Sequence, residues 1–234
     1  MRILLVESSS KFLSLAIASK DKILKTRNVE LGRKLSSNLI LEIKKILKSV
    51  KLAPEDLDGF AVGLGPGSFT SLRVGLATIK GLALALDKPV VGVSSLDVLE
   101  AGIPEDDPRN SSLCLLDAKR DLFYAAFYSR KNGVTHLRGN YLLAPLKDIL
   151  KEVKHKTTIV GDGIKLLKEQ TKLKSNYILE SEEFWYPKAK NLLPLVIKKF
   201  KNKGCNNIDK IVPLYLYPEN CQVTKISKKA KSKR

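Results

Sequence analysis

The same short pattern, an apolar strand, an acidic turn and a second apolar strand, occurs twice in this chain at a spacing of 110 residues. At that offset Glu7 meets Asp117, Phe12 meets Leu122, Ala16 meets Ala126, Ile17 meets Phe127, Ser19 meets Ser129 and Lys20 meets Arg130. A strand-then-helix echo follows at Thr157 to Val160, with the turn Gly161-Asp162-Gly163 behind it. An internal duplication restricts the fold to two similar units packed side by side. Chance matching of two strand–turn–strand segments is the competing explanation.

The first unit can be read element by element. Arg2 to Val6, Phe12 to Ala18 and Ile23 to Glu30 are apolar or alternating runs joined by short polar turns, which predicts an antiparallel meander. Leu35, Leu39, Ile40, Ile43, Ile46, Leu47 and Val50 recur at helical spacing and predict a helix over Lys34 to Val50. Phe60 to Leu64 reads as a fourth strand, Ser71 to Leu86 as a second helix, Pro89 to Val93 as a fifth strand, and a short helix starts at Ser94. Three strands, helix, strand, helix, strand is the ribonuclease-H-like order of an α/β unit. Two such units facing each other give the duplicated, actin-like (ASKHA) layout shared with sugar kinases and heat-shock ATPases. There the acidic first turns face a nucleotide cleft. The expected division is 1–104 for the first subdomain, 111–222 for a second, degenerate α/β subdomain, and 223–234 for a basic tail.

Composition narrows the setting. At 234 residues, 44% hydrophobic and 28% charged, the chain has the make-up of a soluble globular protein with room for two closely packed small domains. Glu7 interrupts the apolar start and no cleavage site follows, so no export signal is read and a cytoplasmic location is expected. Apolar runs such as Leu82 to Leu86 fall short of the roughly 20 residues that span a bilayer, so no membrane partner is expected. Cys114, Cys205 and Cys221 form no CxxC pair and read as inert thiols. The net charge of +18 is uneven: 16 basic against 13 acidic side chains through Asn110, then 26 against 11. Val223 to Arg234 carries Lys225, Lys228, Lys229, Lys231, Lys233 and Arg234 with no acid. Such a tail cannot bury enough apolar surface to fold. It either lies along phosphates or is solvated charge.

The segment Ala61-Val-Gly-Leu-Gly-Pro-Gly-Ser-Phe-Thr-Ser-Leu-Arg-Val-Gly75 is the most specific signal. Gly65 and Gly67 permit backbone angles closed to other residues, Pro66 stiffens the turn, and Ser68 or Thr70 can cap the next helix. No GxxxxGK[ST] is present, so this is no P-loop. Local chemistry admits a structural turn and cap, or an anion cradle.

The string resembles the GPGSFTGLRVG signature of the TsaB (YeaZ) family, carried here by Gly65, Pro66, Gly67, Ser68, Phe69, Thr70, Arg73 and Gly75. The opening Ile3-Leu-Leu-Val-Glu-Ser-Ser is similar to that family's ILAIDTS, Val93-Ser-Ser-Leu-Asp97 to its VSSL, and Leu116 to Tyr124 to its iDARrgevY. Val160-Gly-Asp-Gly163 and Pro213-Leu-Tyr-Leu216 match weaker landmarks. The resemblance implies the actin-like fold and a part in making N6-threonylcarbamoyladenosine at position 37 of tRNA. It also implies a TsaD-like catalytic paralogue as partner, a TsaE-like ATPase in the same assembly, tRNA reached through the complex, and a homodimer as a further assembly. Departures are Glu7 for the family's first-turn Asp, Ser71 for a glycine, Leu35 for a histidine, and Tyr217 for an arginine.

The catalytic paralogue of that family carries an H-x-x-x-H metal motif after the same loop, helix and strand. Its two histidine positions fall on Ser95 and Leu99, neither of which ligates a transition metal. His136 and His155 stand 19 apart in the second half, and no other catalytic constellation stands out. A non-enzymatic subunit is therefore expected. Glu7, Ser8 and Asp117 are the candidate cofactor residues, read either as remnants of an ATPase site or as a pair that binds ATP or ADP weakly. The helix from Ser71 to Leu86 is apolar nearly all round and must be covered on two sides. Burial within the monomer is one reading. The other, favoured by the resemblance, makes Leu35, Leu39, Ile43, Leu72, Leu76, Ile79 and Ala83 a partner interface. The competing functions are a metalloprotease or stand-alone ATPase, and a general RNA-binding module resting only on the tail.

Overall fold

Strand β1 (Arg2–Glu7) sets the first layer. Leu4 and Val6 point to one side and Ile3 and Leu5 to the other, all four fully buried. A strand apolar on both faces has to lie between two packed layers. The structure, a computed structural model, describes residues 1–30, 34–104, 110–131, 133–202, 204–205 and 207–217. Strand β1 pairs antiparallel with β2 (Phe12–Ser19), which pairs antiparallel with β3 (Lys22–Glu30). On its other edge it runs parallel to β4 (Gly59–Gly63), and β4 parallel to β5 (Val90–Val93), giving the order β3-β2-β1-β4-β5. The outermost strand β3 reads KILKTRNVE and is largely exposed; its charges keep the sheet edge from recruiting another strand.

Parallel strands need crossovers, and helices α1 (Leu35–Ser49) and α2 (Phe69–Leu86) supply them on one face of the sheet. Helix α2 begins two residues earlier than the spacing predicts. Ser68 occupies its cap position, but its hydroxyl bonds the Ser71 hydroxyl at 2.9 Å instead of the helix backbone, so the expected side-chain cap is not made. Although α2 is long and apolar enough to cross a membrane by composition, Leu76, Ile79 and Ala83 pack into the core over this sheet.

The second sheet repeats the plan. Strands β6 (Ser111–Lys119), β7 (Leu122–Lys131) and β8 (Val134–Pro145) are antiparallel, and β9 (Thr157–Val160) and β10 (Tyr177–Leu179) add in parallel, in the order β10-β9-β6-β7-β8. Helices α4 (Leu146–Lys151) and α5 (Gly163–Gln170) cover one face, against Leu113, Leu115 and Phe123. Two sheets of identical order make this a duplicated α/β fold.

Helices cross between the two halves. Helix α3 (Ser95–Glu100), from the first half, places Leu96 and Leu99 on Cys114, Tyr124 and Tyr128 of the second sheet. Helix α6 (Leu192–Lys201), from the second half, places Leu192, Leu193 and Val196 on Ile3, Leu5 and Val91 of the first. The division at 104 and 111 is thus corrected for these helices: each completes the sheet of the other half, because each sheet has a second apolar face to cover. Residues 208–217 form a strap across both halves. Lys80 of α2 donates to the Ile211 carbonyl at 3.0 Å, Leu214 N–H to the Leu64 carbonyl at 2.7 Å, and the Tyr217 hydroxyl to the Ala118 carbonyl at 2.9 Å. The tail expected at 223–234 lies outside the described residues.

Helix α3 is also held by a polar clamp. Asp97 accepts hydrogen bonds from the Tyr128 hydroxyl at 2.7 Å and the Tyr141 hydroxyl at 2.8 Å, and Glu100 stands 3.8 Å from Arg130 and 3.3 Å from the Thr135 hydroxyl. Burial raises the pKa of both tyrosines and the Asp97 charge raises it further, so both stay protonated donors. Asp97→Ala leaves two phenols without their acceptor and should remove about 2–4 kcal/mol of stability, read from urea unfolding. Asp148→Ala, at an exposed helical ion pair, should leave the transition in place. A loss below about 1 kcal/mol for Asp97→Ala would mean that this carboxylate adds little to the other contacts that hold α3.

Candidate functional site

Glu7 ends β1 at the turn into β2, where the fold would present an acid to a cleft, but it faces inward. Ser9 N–H donates to its Oε1 at 2.7 Å, and the Ser95 hydroxyl donates to its Oε2 at 2.9 Å. Ser95 Oγ in turn accepts from Gly65 N–H at 3.0 Å, so one hydroxyl joins the turn, the Gly-Pro-Gly loop and the start of α3. Gly63 of β4 makes room: a Cβ there would stand 1.9 Å from the Glu7 carboxylate. Ser8 is also spent on structure. Its hydroxyl donates to the Ser71 carbonyl at 3.2 Å, and a Cβ on Gly75 would lie 2.3 Å from it. Of the loop glycines, Gly65 has φ +93°, as the turn requires, whereas Gly67 is needed for its close approach to Ser9.

Two of the three candidate cofactor residues, Glu7 and Ser8, are therefore corrected to structural roles. Asp117 does line a hollow of 370 Å³ between the halves, facing Ser10, Lys11 and Ser68 from the first half and joined by Lys119 and Asp162. Its carboxylate is taken by the Lys119 ammonium and by the Lys119 N–H at 2.7 Å. Asp162 accepts from Asp117 N–H at 3.0 Å; burial pushes its pKa up and that bond pulls it partly back. The Gly161-Asp162-Gly163 turn does not open as a phosphate loop, since Gly161 and Gly163 are both packed on Leu115. Glu7 and Ser8 do not line this hollow, whereas Ser10 and Lys11 of the same turn do, opposite Asp117, Lys119 and Asp162. The paralogue's metal positions fit no metal, because Ser95 is buried in the Glu7 network and Leu99 in the apolar core.

The seven residues expected at a partner interface require a further correction. Leu35, Leu39, Ile43, Leu72, Leu76, Ile79 and Ala83 are between 0% and 6% exposed and pack inside the monomer. The outward faces carry other residues: Ile40 and Leu41 on α1, 44% and 47% exposed, and Leu84 on α2, 66% exposed, beside exposed Ala77, Gly81 and Ala85. A helix apolar all round has no polar stripe to mark its outside. Arg73, in line with Ala77 and Gly81 at four-residue spacing, is a charged residue on that outward side. Sequence reasoning also missed Tyr215, whose hydroxyl accepts from Arg73 Nε at 2.8 Å and whose ring centroid lies 5.2 Å from that of Phe69.

The Glu7 network yields a test with a defined sign. Burial without a cation raises the Glu7 pKa above its ordinary value, partly offset by hydrogen bonds from Ser9 and Ser95. A native state that holds the proton more tightly than the unfolded chain loses stability as pH rises through the window above the unfolded pKa. Glu7→Gln removes that titration. Its stability relative to the unaltered protein should improve as pH goes from about 4 to about 7, measured by denaturant unfolding at each pH. A difference independent of pH would mean that Glu7 titrates like an exposed carboxylate.

Comparison with known proteins gives one consistent answer. Residues 29–178 match the family model described as TsaD, tRNA N6-adenosine threonylcarbamoyltransferase. The tRNA threonylcarbamoyladenosine biosynthesis protein TsaB of Bacillus subtilis is 31% identical over 72% of this chain and 74% of its own length. The TsaB of Escherichia coli is 27% identical over 92% of this chain and 94% of its own. The solved YeaZ of Pseudomonas aeruginosa shares the fold, with a TM-score of 0.77 at 23% identity over 92% of this chain and 99% of its own. A second structure from that organism, described as similar to peptidase YEAZ, superposes with a TM-score of 0.80 at 22% identity over the same shares. With this loop, this duplicated fold and these relatives, the chain belongs to the TsaB (YeaZ) family.

Proposed function

We propose that this chain is a non-catalytic subunit in tRNA threonylcarbamoyladenosine formation, working beside a TsaD-like catalytic paralogue and acting by protein–protein assembly. The observation that carries this reading is helix α2, apolar on both faces, with one face buried at home and Ala77, Gly81, Leu84 and Ala85 left outside. Small residues at four-residue spacing let a second helix approach closely, and Ile40 and Leu41 of α1 widen the apolar surface. In this proposal that outward face, not the inward one, pairs with the matching helices of the paralogue. A homodimer would use the same face. A TsaE-like ATPase and tRNA join through the complex.

The absence of chemistry in this subunit rests on the pins described above. Ser95 and Leu99 stand at the paralogue's metal positions, and Glu7 is committed to Ser9 and Ser95. Binding of ATP or ADP in the cleft is at most weak in this reading. A peptidase would need a metal pair or a nucleophile–base pair in place of these residues.

Reconstitution with the paralogue, the ATPase and tRNA tests the reading: modification should require this chain, while the purified chain alone turns over neither a peptide nor the threonylcarbamoyl transfer. Turnover by the isolated chain would overturn it. The face is tested by Gly81→Arg, since a Cβ at Gly81 meets nothing within 4 Å. The monomer should melt as before while binding to the paralogue weakens at least about tenfold, roughly 1.4 kcal/mol. Leu76→Asp should instead unfold the monomer, by about 3–5 kcal/mol, because it buries an unpaired charge. Normal binding by both Gly81→Arg and Leu84→Asp would place the interface elsewhere.

A further inference from the structure

Deepening the assembly reading, on which it rests, we propose that the strap completes the outer face of α2 and that Arg73, held between Phe69 and Tyr215, receives a carboxylate from a helix of the partner protein. Phe69, Arg73, Ala77, Gly81 and Ala85 follow one another at four-residue spacing along α2, and all five are exposed. The strap runs beside that stripe in the opposite direction. It is tied to α2 by Lys80, which donates to the Ile211 carbonyl at 3.0 Å, and by Arg73 Nε, which donates to the Tyr215 hydroxyl at 2.8 Å. Ile208 and Ile211 pack into the same core layer as α1 and α2, while Val212 and Tyr215 stay exposed on the outside. The Tyr215 ring lies 5.2 Å from that of Phe69, so strap and helix present one continuous surface. Among the described residues eleven large hydrophobics are exposed, and six of them (Ile40, Leu41, Phe69, Leu84, Val212 and Tyr215) stand on α1, α2 and the strap. Such a concentration on one layer marks a contact surface.

Arg73 identifies what the partner brings. Its guanidinium lies 3.8 Å from the centre of the Phe69 ring and 5.7 Å from that of Tyr215, and its Nε donates to the Tyr215 hydroxyl. Those contacts fix the plane of the group and leave its Nη side, with the phenol proton beside it, to donate outward. No carboxylate of the described residues forms an ion pair with it. A planar donor fork ordered in advance matches a carboxylate, and Arg and Tyr inside an apolar patch are typical anchors of protein interfaces. The other cation of α2, Lys80, is engaged by the Ile211 carbonyl, so the site offers one unpaired positive charge and suits a single negative one. The same chemistry separates a partner from a second copy. The acid of α1 is Glu42, buried between Arg27 and Lys45, and α2 has none. A copy laid face to face brings no free carboxylate from either helix. Asp87, exposed just past the end of α2, is the acid closest to them in sequence.

The test measures binding of the full-length chain to the paralogue by calorimetry over a range of salt concentrations. Arg73→Gln should weaken binding about tenfold and flatten its salt dependence. Arg73→Lys should recover only part of the loss, since it keeps the charge without the planar fork. Tyr215→Phe keeps the ring but frees Arg73 Nε, and should weaken binding several-fold, whereas Asp87→Asn should leave it unchanged. Arg73→Glu should abolish binding, and reversing one acid on the paralogue's matching helices to lysine should restore it. All three positions in this chain are exposed, so unfolding curves of the variants should coincide with that of the unaltered protein. Gly81→Arg keeps the two readings apart. If it weakens binding while Arg73→Gln does not, the helix face stands and the anchor is overturned; if neither weakens it, both fall. Loss of self-association by Arg73→Gln and Asp87→Asn, with paralogue binding intact, overturns the proposal in favour of a second copy.

Discussion

A carboxylate buried without a cation holds this structure at its centre. Glu7 is 1% exposed, and its ligands are a backbone N–H and a serine hydroxyl. The contrast with Glu42 shows what that means. Glu42, on α1, sits between Arg27 and Lys45, and those cations hold its pKa below the ordinary value. Glu7 has only dipoles, and burial drives its pKa up. Such a group is tolerable only where its hydrogen-bond partners are fixed in advance. The β1–β2 turn, the Gly-Pro-Gly loop and the head of α3 therefore have to meet at one point, and the glycine at position 63 is what lets them.

The apolar layers impose a second constraint. Each sheet has two faces to cover, and each half of the chain has helices suitable for only one of its own. Exchange of α3 and α6 between the halves solves this, and it makes neither half complete alone. Isolating 1–104 would strip α6 from Ile3, Leu5 and Val91, and isolating 111–222 would strip α3 from Cys114 and Tyr128.

How much of this was legible in the sequence depends on the range of the interactions involved. The strand and helix order of the first half is local, set by period-two and helical spacing, and the element positions agree to within two residues for β1, β2, β3, α1 and α2. The duplication was legible because β1–β2 and β6–β7 repeat with matched spacing. What could not be read was direction. Glu7 points inward because of Ser95, 88 residues away, and no spacing rule connects them. The inward faces of α1 and α2 are chosen by the core over the first sheet, so apolar spacing named three residues of α1 and four of α2 that the monomer itself buries. The strap was missed because Pro213 to Leu216 has neither periodicity, and its anchors are single contacts to Leu64, Arg73 and Ala118.

These contacts also bear on how the two halves can move. The first-turn acid and the helix after β5 meet where the two halves join. Here they are bonded, and the bond is one link of a chain: Glu7 to Ser95, Ser95 to the head of α3, α3 through Asp97 to Tyr128 and Tyr141 on the second sheet. The strap adds a second, separate link from Leu64 to Ala118. Opening the cleft would have to break a buried charged hydrogen bond at one end or two phenol–carboxylate bonds at the other, each about 1.5–3 kcal/mol. A pair of halves pinned on both sides of the cleft resists hinge motion and keeps the outer face of α2 in a fixed place. In the proposed assembly, that rigidity lowers the entropy lost when a partner meets the outer face of α2.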